Sequence, residues 1–248
     1  MQLKDCILRH QCSTVHFDRG EDMAAFKTTV LADIEKEYGA KMTPTGGWSL
    51  AKNFPGGVSA EERHTVDNCS VFDRCHTARF RVTGVDVFKK LCEVINFETS
   101  SSAVEDVFTG VFAEQNITLL CMAEDDFLLL AEKHSTIVEI AGKVQELEFS
   151  DLSVALAQLD VAGAKLPQVL EDFEIVFDDL PEAGKLTRIV VAEVNTILFV
   201  NNDLPFSCIT ILFNAEYAEG MWEEFVDTFP VKPAGFSARE NLIAKNCE

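Results

Sequence analysis

The sequence is poor in basic residues: 21 Lys and Arg stand against 41 Asp and Glu, giving a formal net charge of −20 over 248 residues. A surface of this charge repels nucleic acid. A protein of this composition that binds DNA must therefore gather its few cations on one face. The composition excludes a generally basic, DNA-coating protein.

Long apolar runs are also missing. No stretch of about 18 apolar residues occurs, so no transmembrane helix is expected. The N-terminal residues MQLKDCILRHQC lack the apolar core of a signal peptide. We therefore expect a soluble intracellular protein, nuclear or cytoplasmic, with no membrane partner.

The short motifs that usually mark nucleotide binding or catalysis are absent. The Gly46-Gly47 and Gly56-Gly57 pairs do not form G-x-G-x-x-G after a strand, and neither a P-loop nor G-x-S-x-G occurs. The acidic runs at 124–126 and 178–179 match no known spacing of a cation-binding loop. The sequence predicts no cofactor and no catalytic residue, and hence a protein that is not an enzyme.

Two groups of thiols and imidazoles have residue types that suit zinc, but neither contains C-x-x-C. Their members are Cys6, His10, Cys12 and His16 in the first group, and His64, Cys69, Cys75 and His76 in the second. We interpret them as reduced buried thiols and separate histidines, and predict no metal site. The spacing alone leaves zinc binding open.

Apolar periodicity predicts an α+β fold rich in antiparallel sheet, with about four evenly spaced helices. The helices are expected near 21–38, 85–95, 151–160 and 216–228. Residues 112–140 read as a β-meander with a turn at Glu124–Asp126 and a third strand at Ile137–Ile140. The even helix spacing indicates repeated strand-helix-strands units, and we expect two domains, 1–140 and 141–248.

Three stretches carry a resemblance to a known family: IxLxCMxxxxFLLL at Ile117–Leu130, LEFSDLSVALAQL at Leu147–Leu159 and NDLPFSCITIL at Asn202–Leu212. With the predicted four units, they resemble the sliding clamps, namely proliferating cell nuclear antigen and the checkpoint clamp subunits. The resemblance implies a non-catalytic scaffold for DNA replication or repair. It would recruit partner proteins, assemble as a homo- or hetero-oligomer and encircle duplex DNA.

The clustered cations are the candidate DNA contacts under this interpretation. Arg79 and Arg81 lie two apart on one face of a predicted strand, and Lys89 and Lys90 follow on the next helix. The alternative function is an acidic protein-interaction adaptor without a nucleic-acid role.

Overall fold

The computed structural model describes residues 26–97, 101–177 and 180–246. In these ranges the chain forms seven α-helices: α1 Ala32–Glu37, α2 Val58–Asp67, α3 Val87–Cys92, α4 His134–Lys143, α5 Leu166–Asp172, α6 Ala218–Asp227 and α7 Phe236–Asn246. The strands are β1 Lys27–Thr28, β2 Lys41–Thr45, β3 Trp48–Asn53, β4 Cys69–Asp73, β5 Ala78–Thr83, β6 Asn96–Phe97, β7 Val107–Phe112, β8 Gln115–Ala123, β9 Asp126–Ala131, β10 Glu148–Asp151, β11 Leu156–Ala162, β12 Leu186–Val191, β13 Val194–Val200, β14 Cys208–Asn214 and β15 Val231–Pro233.

The strands form one small sheet and two large ones. The small sheet has the order β1-β3-β2. Sheet I has the order β10-β5-β9-β8-β7-β6 and is antiparallel throughout. Sheet II has the order β12-β13-β14-β11-β4-β15 and is antiparallel except that β15 runs parallel to β4. The fold is therefore α+β with mainly antiparallel sheets, as predicted.

The chain crosses between the large sheets at two adjacent places. Residues 74–77 connect β4 in sheet II to β5 in sheet I, and residues 152–155 connect β10 in sheet I to β11 in sheet II. Each crossing is hydrogen-bonded to a strand next to the other crossing. Arg74 N in the first crossing donates to Gln158 O of β11 at 3.0 Å, and Leu152 N in the second donates to Arg79 O of β5 at 2.8 Å. Strands from both sides of the predicted boundary at 140/141 thus share each large sheet. The division into domains 1–140 and 141–248 stays a prediction.

Each large sheet packs its own helices on an apolar core. Ile137 and Ile140 of α4 pack on sheet I, and Trp222 and Phe225 of α6 pack on sheet II. A further apolar cluster joins the two sheets to each other and contains Leu120, Leu128, Leu130, Leu186, Phe199 and Leu212. The cores therefore fix both the helices on the sheets and the sheets on each other.

Two predicted helices agree with the structure and two other predicted elements do not. Helices near 85–95 and 216–228 are confirmed as α3 and α6. The predicted helix at 21–38 is right only for α1, Ala32–Glu37, and wrong for Lys27–Thr28, which form β1; residues 21–25 lie outside the described residues. The prediction of about four helices is wrong, because seven occur in the described ranges.

The predicted helix at 151–160 is wrong because residues 151–155 form a strand end and an exposed turn, and residues 157–160 are buried on both faces of a sheet. The segment forms the end of β10, a turn, and β11, which lies between β14 and β4. A short apolar run of this kind does not distinguish a buried strand from a helix. The polar start of the segment makes a turn instead of a helix cap, since Asp151 Oδ1 accepts from Ser153 N at 2.8 Å.

The predicted third strand at Ile137–Ile140 is also wrong, because these residues lie within α4. Ile137 and Ile140 are three residues apart and so share one helix face against sheet I. In the described ranges, no helix is long and apolar enough to cross a membrane.

Arg79 holds the first crossing between the sheets together. Its guanidinium donates to Arg74 O at 3.2 Å, Thr77 Oγ1 at 2.8 Å and Cys75 O at 2.9 Å, and it also donates to Ser153 O in the second crossing at 2.5 Å. The side chain is fully buried. Burial lowers the pKa of Arg79, although the negative charges around it act in the opposite direction.

Arg79→Met should lower the free energy of unfolding by about 2–4 kcal/mol, because buried carbonyl groups lose their donor. Arg81→Met on the same strand is the matched control. Arg81 pairs with Asp126 in solvent, and losing such a pair costs about 0–1 kcal/mol. Urea unfolding of both variants measures the difference, and equal losses would contradict the role given to Arg79.

Candidate functional site

A group of charged residues, most of them buried, lies where the chain passes from sheet II to sheet I. We call it the junction cluster, and its members are Glu35, Asp73, Arg74, His76, Glu132, Asp160, Asp203 and Arg239. They come from α1, the end of β4, the first crossing, the residue after β9, β11, the turn before β14, and α7. Residues distant in sequence therefore meet at one place.

Asp160 is the centre of the junction cluster. Its side chain is completely buried in β11. Oδ2 accepts from Arg239 Nε at 3.0 Å and lies 3.6 Å from Arg74 Nε, while Oδ1 accepts from Thr210 Oγ1 at 2.7 Å. Arg239 also donates to Asp203 Oδ2 at 3.0 Å. Burial alone would lower the pKa of Arg239, but the charges of Asp160 and Asp203 outweigh it and raise that pKa.

Arg74 links Asp160 to the far side of the cluster. Its Nη2 donates to Glu132 Oε2 at 2.6 Å, and His76 Nε2 lies 2.9 Å from Glu132 Oε1. Burial alone would raise the pKa of Glu132, but the hydrogen bond from His76 and the charge of Arg74 hold it well below its usual value. Glu132 is therefore an anion that balances the two basic side chains.

The next part of the cluster is a small chamber between α1, β3, the end of β4 and the start of α7. Its volume is about 10 Å³, roughly the space of one water molecule. The charged side chains that line it are Glu35, Asp73, Arg74 and Arg239. The chamber thus brings two carboxyl groups and two guanidinium groups together.

Glu35 is the residue of the chamber with the most strongly altered acidity. Its side chain is almost completely buried, and burial, followed by the negative charge of Asp73, raises its pKa to about 9. Glu35 is therefore a neutral acid at pH 7 and can donate a proton.

Several polar atoms around the chamber have unfilled hydrogen-bonding capacity. Among the buried side chains of the described residues, Glu35 Oε2, Arg74 Nε and Nη1, and His76 Nδ1 have no hydrogen-bond partner. Buried polar atoms are normally satisfied, because leaving them unpaired costs free energy. Donors and acceptors held in this state are suited to binding a polar group of a ligand.

Glu61 positions the wall of the chamber. Its carboxylate accepts from Gly235 N at 3.0 Å and from Phe54 N, which ties the start of α7 to the end of β3. The two segments lie so close that a Cβ on Gly235 would lie 2.3 Å from Lys52 O. Glycine is required there because any side chain would push α7, and with it Arg239, away from the chamber.

The structure separates the four cations predicted to contact DNA. Arg79 is buried in the sheet crossing, Arg81 pairs with Asp126, and Lys90 pairs with Glu146 at 2.9 Å. Lys89 is exposed on α3. The four do not form one cationic face, although whether any of them contacts DNA stays a prediction.

The described members of the second Cys/His group do not converge. His76 belongs to the junction cluster, His64 Nε2 lies 2.9 Å from Pro230 O, and Cys69 and Cys75 are buried. Burial raises the pKa of the Cys69 thiol to about 12. No group of three or more potential metal ligands occurs within the described ranges. The first group, Cys6 to His16, lies outside them.

Sequence reasoning missed the junction cluster, although two signals for it are present. Asp160 is the single charge in the strand LAQLDVA. Asp73 ends the buried strand β4, and Arg74 directly follows it. A charge in an otherwise apolar strand must find partners when it is buried. The spacing gives no hint of which residues those partners are.

Comparisons with known proteins place the chain in a different family from the clamps. The family model described as GCVT N-terminal domain matches residues 31–245. An aminomethyltransferase of Thermoanaerobacter pseudethanolicus is 24% identical over 238 residues, covering 89% of this chain and 64% of that protein. The mitochondrial aminomethyltransferase of Dictyostelium discoideum is 38% identical over 240 residues, covering 87% and 59%.

A solved structure has the same fold. The glycine cleavage system aminomethyltransferase T from Bartonella henselae matches with a TM-score of 0.80 and 18% identity, covering 90% of this chain and 63% of that one. The chain therefore spans less than two thirds of the length of the relatives it matches.

These findings correct the interpretation as a sliding clamp. The clamp-like fold, the DNA-clamp or adaptor function, and the expectation that the protein is not an enzyme are wrong, because the matching relatives are named aminomethyltransferases. The resemblance rested on apolar alternation around turns. Any antiparallel sheet produces that pattern, so it does not distinguish these families. The chain belongs to the GCVT N-terminal domain family.

Proposed function

We propose that the chain carries an aminomethyltransferase-type active site at the junction cluster. The observation that supports it best is Glu35: a buried, neutral carboxyl group with an unpartnered oxygen, in a chamber that also contains Asp73 and Arg74. Perturbed acids in clefts are frequent at catalytic sites. The relatives named aminomethyltransferase supply the class of reaction.

The chamber provides groups for both parts of an aminomethyl transfer. In such a reaction the bond from the methylene carbon to the donor breaks, and a bond from that carbon to the acceptor forms. The departing donor atom takes a proton from Glu35, and the resulting carboxylate accepts the proton that the attacking acceptor atom loses. The negative charge of Asp73 attracts the ammonium form of the aminomethyl group.

The size of the chamber restricts what enters it. A space of about 10 Å³ holds roughly one water molecule, so an aminomethyl group enters the chamber only when its walls move apart. The remainder of the donor must lie outside the chamber, and the buried, unpartnered Arg74 Nη1 is available to a polar atom of the part that enters.

The sequence predicts protein partners, and an aminomethyltransferase-type function also involves them. The aminomethyltransferase T of Bartonella henselae belongs to a glycine cleavage system, and we propose that other proteins of such a system deliver the aminomethyl group to this chain. Duplex DNA has no part in this reaction.

Glu35→Gln should lower the rate of aminomethyl transfer by about 10²–10⁴-fold, the usual contribution of a positioned proton donor. The measurement is consumption of glycine by a glycine-cleaving bacterial extract that lacks its own aminomethyltransferase and is supplemented with this protein. Glu37→Gln is the matched control, because Glu37 is exposed on the same helix. Unchanged activity of Glu35→Gln, or no activity of the parent protein, would contradict the proposal.

The raised pKa of Glu35 also predicts how stability depends on pH. The unfolded carboxyl group ionises near 4.5 and the folded one near 9, so the folded state binds more protons in between. Its contribution to stability is fully present below about pH 4.5 and is lost as the pH rises toward 9, by up to about 1.4 kcal/mol per pH unit. Glu35→Gln should remove this slope in urea unfolding at pH 5.5, 7 and 8.5. Parallel pH profiles of the two proteins would argue against a neutral Glu35.

A further inference from the structure

A second and larger pocket lies beside α2 and β15. Its volume is about 370 Å³, within the range of pockets that bind small molecules. The lining residues that matter here are Tyr38, Phe54, Pro55, Arg63, Asp67 and Lys232. None of them belongs to the junction cluster.

Two cations of the pocket have no partner in a strongly acidic protein. Arg63 and Lys232 are exposed on α2 and β15 and form no ion pair with any carboxylate of the described residues. Asp67 lies one helical turn after Arg63 and still does not pair with it. The positive charges of the pocket are therefore available to a ligand.

The buried carboxyl group of the pocket does not oppose an anion. Glu61 directs both oxygens to backbone amides, accepting from Gly235 N at 3.0 Å and from Phe54 N. Burial raises its pKa, and the two backbone hydrogen bonds oppose that effect. Asp67 is thus the one carboxylate among the lining residues that is free to repel an anionic ligand.

The pocket also has an apolar part. Tyr38, Phe54, Pro55 and Pro233 contribute to its lining, and Tyr38 is half-buried. Phe54 is fixed from behind by Trp222, with ring centroids 6.2 Å apart. Rings and prolines provide a firm surface for a flat apolar group.

The frame that holds the cations is rigid. His64 Nε2 lies 2.9 Å from Pro230 O, so the segment that leads into β15 is tied to α2. β15 also pairs with β4, with Lys232 opposite Ser70. Secondary structure on both sides therefore fixes the backbone positions from which the two cationic side chains extend.

We propose that this pocket binds a small anion, a phosphate or carboxylate, that carries a flat apolar ring. Arg63 and Lys232 receive the anion through charge-assisted hydrogen bonds, and the ring lies against Tyr38, Phe54 and Pro55. The site is separate from the proposed transfer site and does not depend on it.

Phenyl phosphate is the probe, titrated into the full chain by isothermal calorimetry, with inorganic phosphate and benzoate alongside. Arg63→Gln and Lys232→Gln should each weaken phenyl phosphate binding about tenfold, the effect of losing one charge-assisted hydrogen bond. Asp67→Asn should strengthen it, because a like charge is removed. Lys89→Gln, an exposed lysine on α3, should leave it unchanged.

Removing a cation and removing the carboxylate should thus change the affinity for phenyl phosphate in opposite directions. No binding of phenyl phosphate or benzoate by the parent protein, or binding that is indifferent to Arg63→Gln and Lys232→Gln, would overturn it. Equal affinity for inorganic phosphate would overturn the ring contact. A second measurement needs no variant: phenyl phosphate should slow acetylation of Lys232 relative to Lys89, as followed by mass spectrometry, and equal rates with and without it would contradict the site.

Discussion

The burial of Asp160 is the constraint on which the functional part of the molecule depends. A carboxylate with no exposed surface in the middle of a sheet is very costly unless cations and hydrogen bonds compensate for it. The compensation comes from Arg74, Arg239 and Thr210. These residues belong to the first sheet crossing, α7 and β14, so one buried charge dictates how three distant segments must dock.

This charge balance determines which side chains of the junction cluster are free to contact a substrate. Arg239 donates hydrogen bonds to both Asp160 and Asp203, whereas Arg74 donates one to Glu132, lies 3.6 Å from Asp160 and keeps Nε and Nη1 without a hydrogen-bond partner. Glu35 faces this incomplete arrangement as a neutral acid. Arg74, Arg79 and Arg239 are thus held inside the fold, where their charges serve the sheet crossing and the chamber.

The chamber and the second pocket share a wall. Glu61 lines the second pocket and bonds the backbone of Gly235, which lines the chamber. The same carboxylate bonds Phe54, which forms part of the apolar lining of the second pocket. A shift of α2 would therefore change the shape of both the chamber and the second pocket, because the side chain of Glu61 is bonded to backbone that lines each of them.

The sequence by itself determined the class of fold and several of its elements. The alternation in Ile117–Cys121 and Phe127–Ala131 identified the hairpin of β8 and β9, and the apolar stripe of Trp222 and Phe225 identified α6. Such patterns are local, because the spacing of apolar residues in a helix or strand is visible in consecutive residues. Where burial on both faces removed the period, as in β11, the sequence pointed to a helix and was wrong.

Only the tertiary structure decided the site and the roles of its residues. Arg79 and Arg81 lie two positions apart on one strand. Arg79 is nevertheless buried in the sheet crossing, whereas Arg81 forms an exposed ion pair with Asp126. Glu35, Asp73 and Arg239 are far apart in sequence and meet because sheet pairing and the docking of α7 bring them together. Side-chain partners and the acidity of Glu35 depend on distances through space, and the order of residues does not contain those distances.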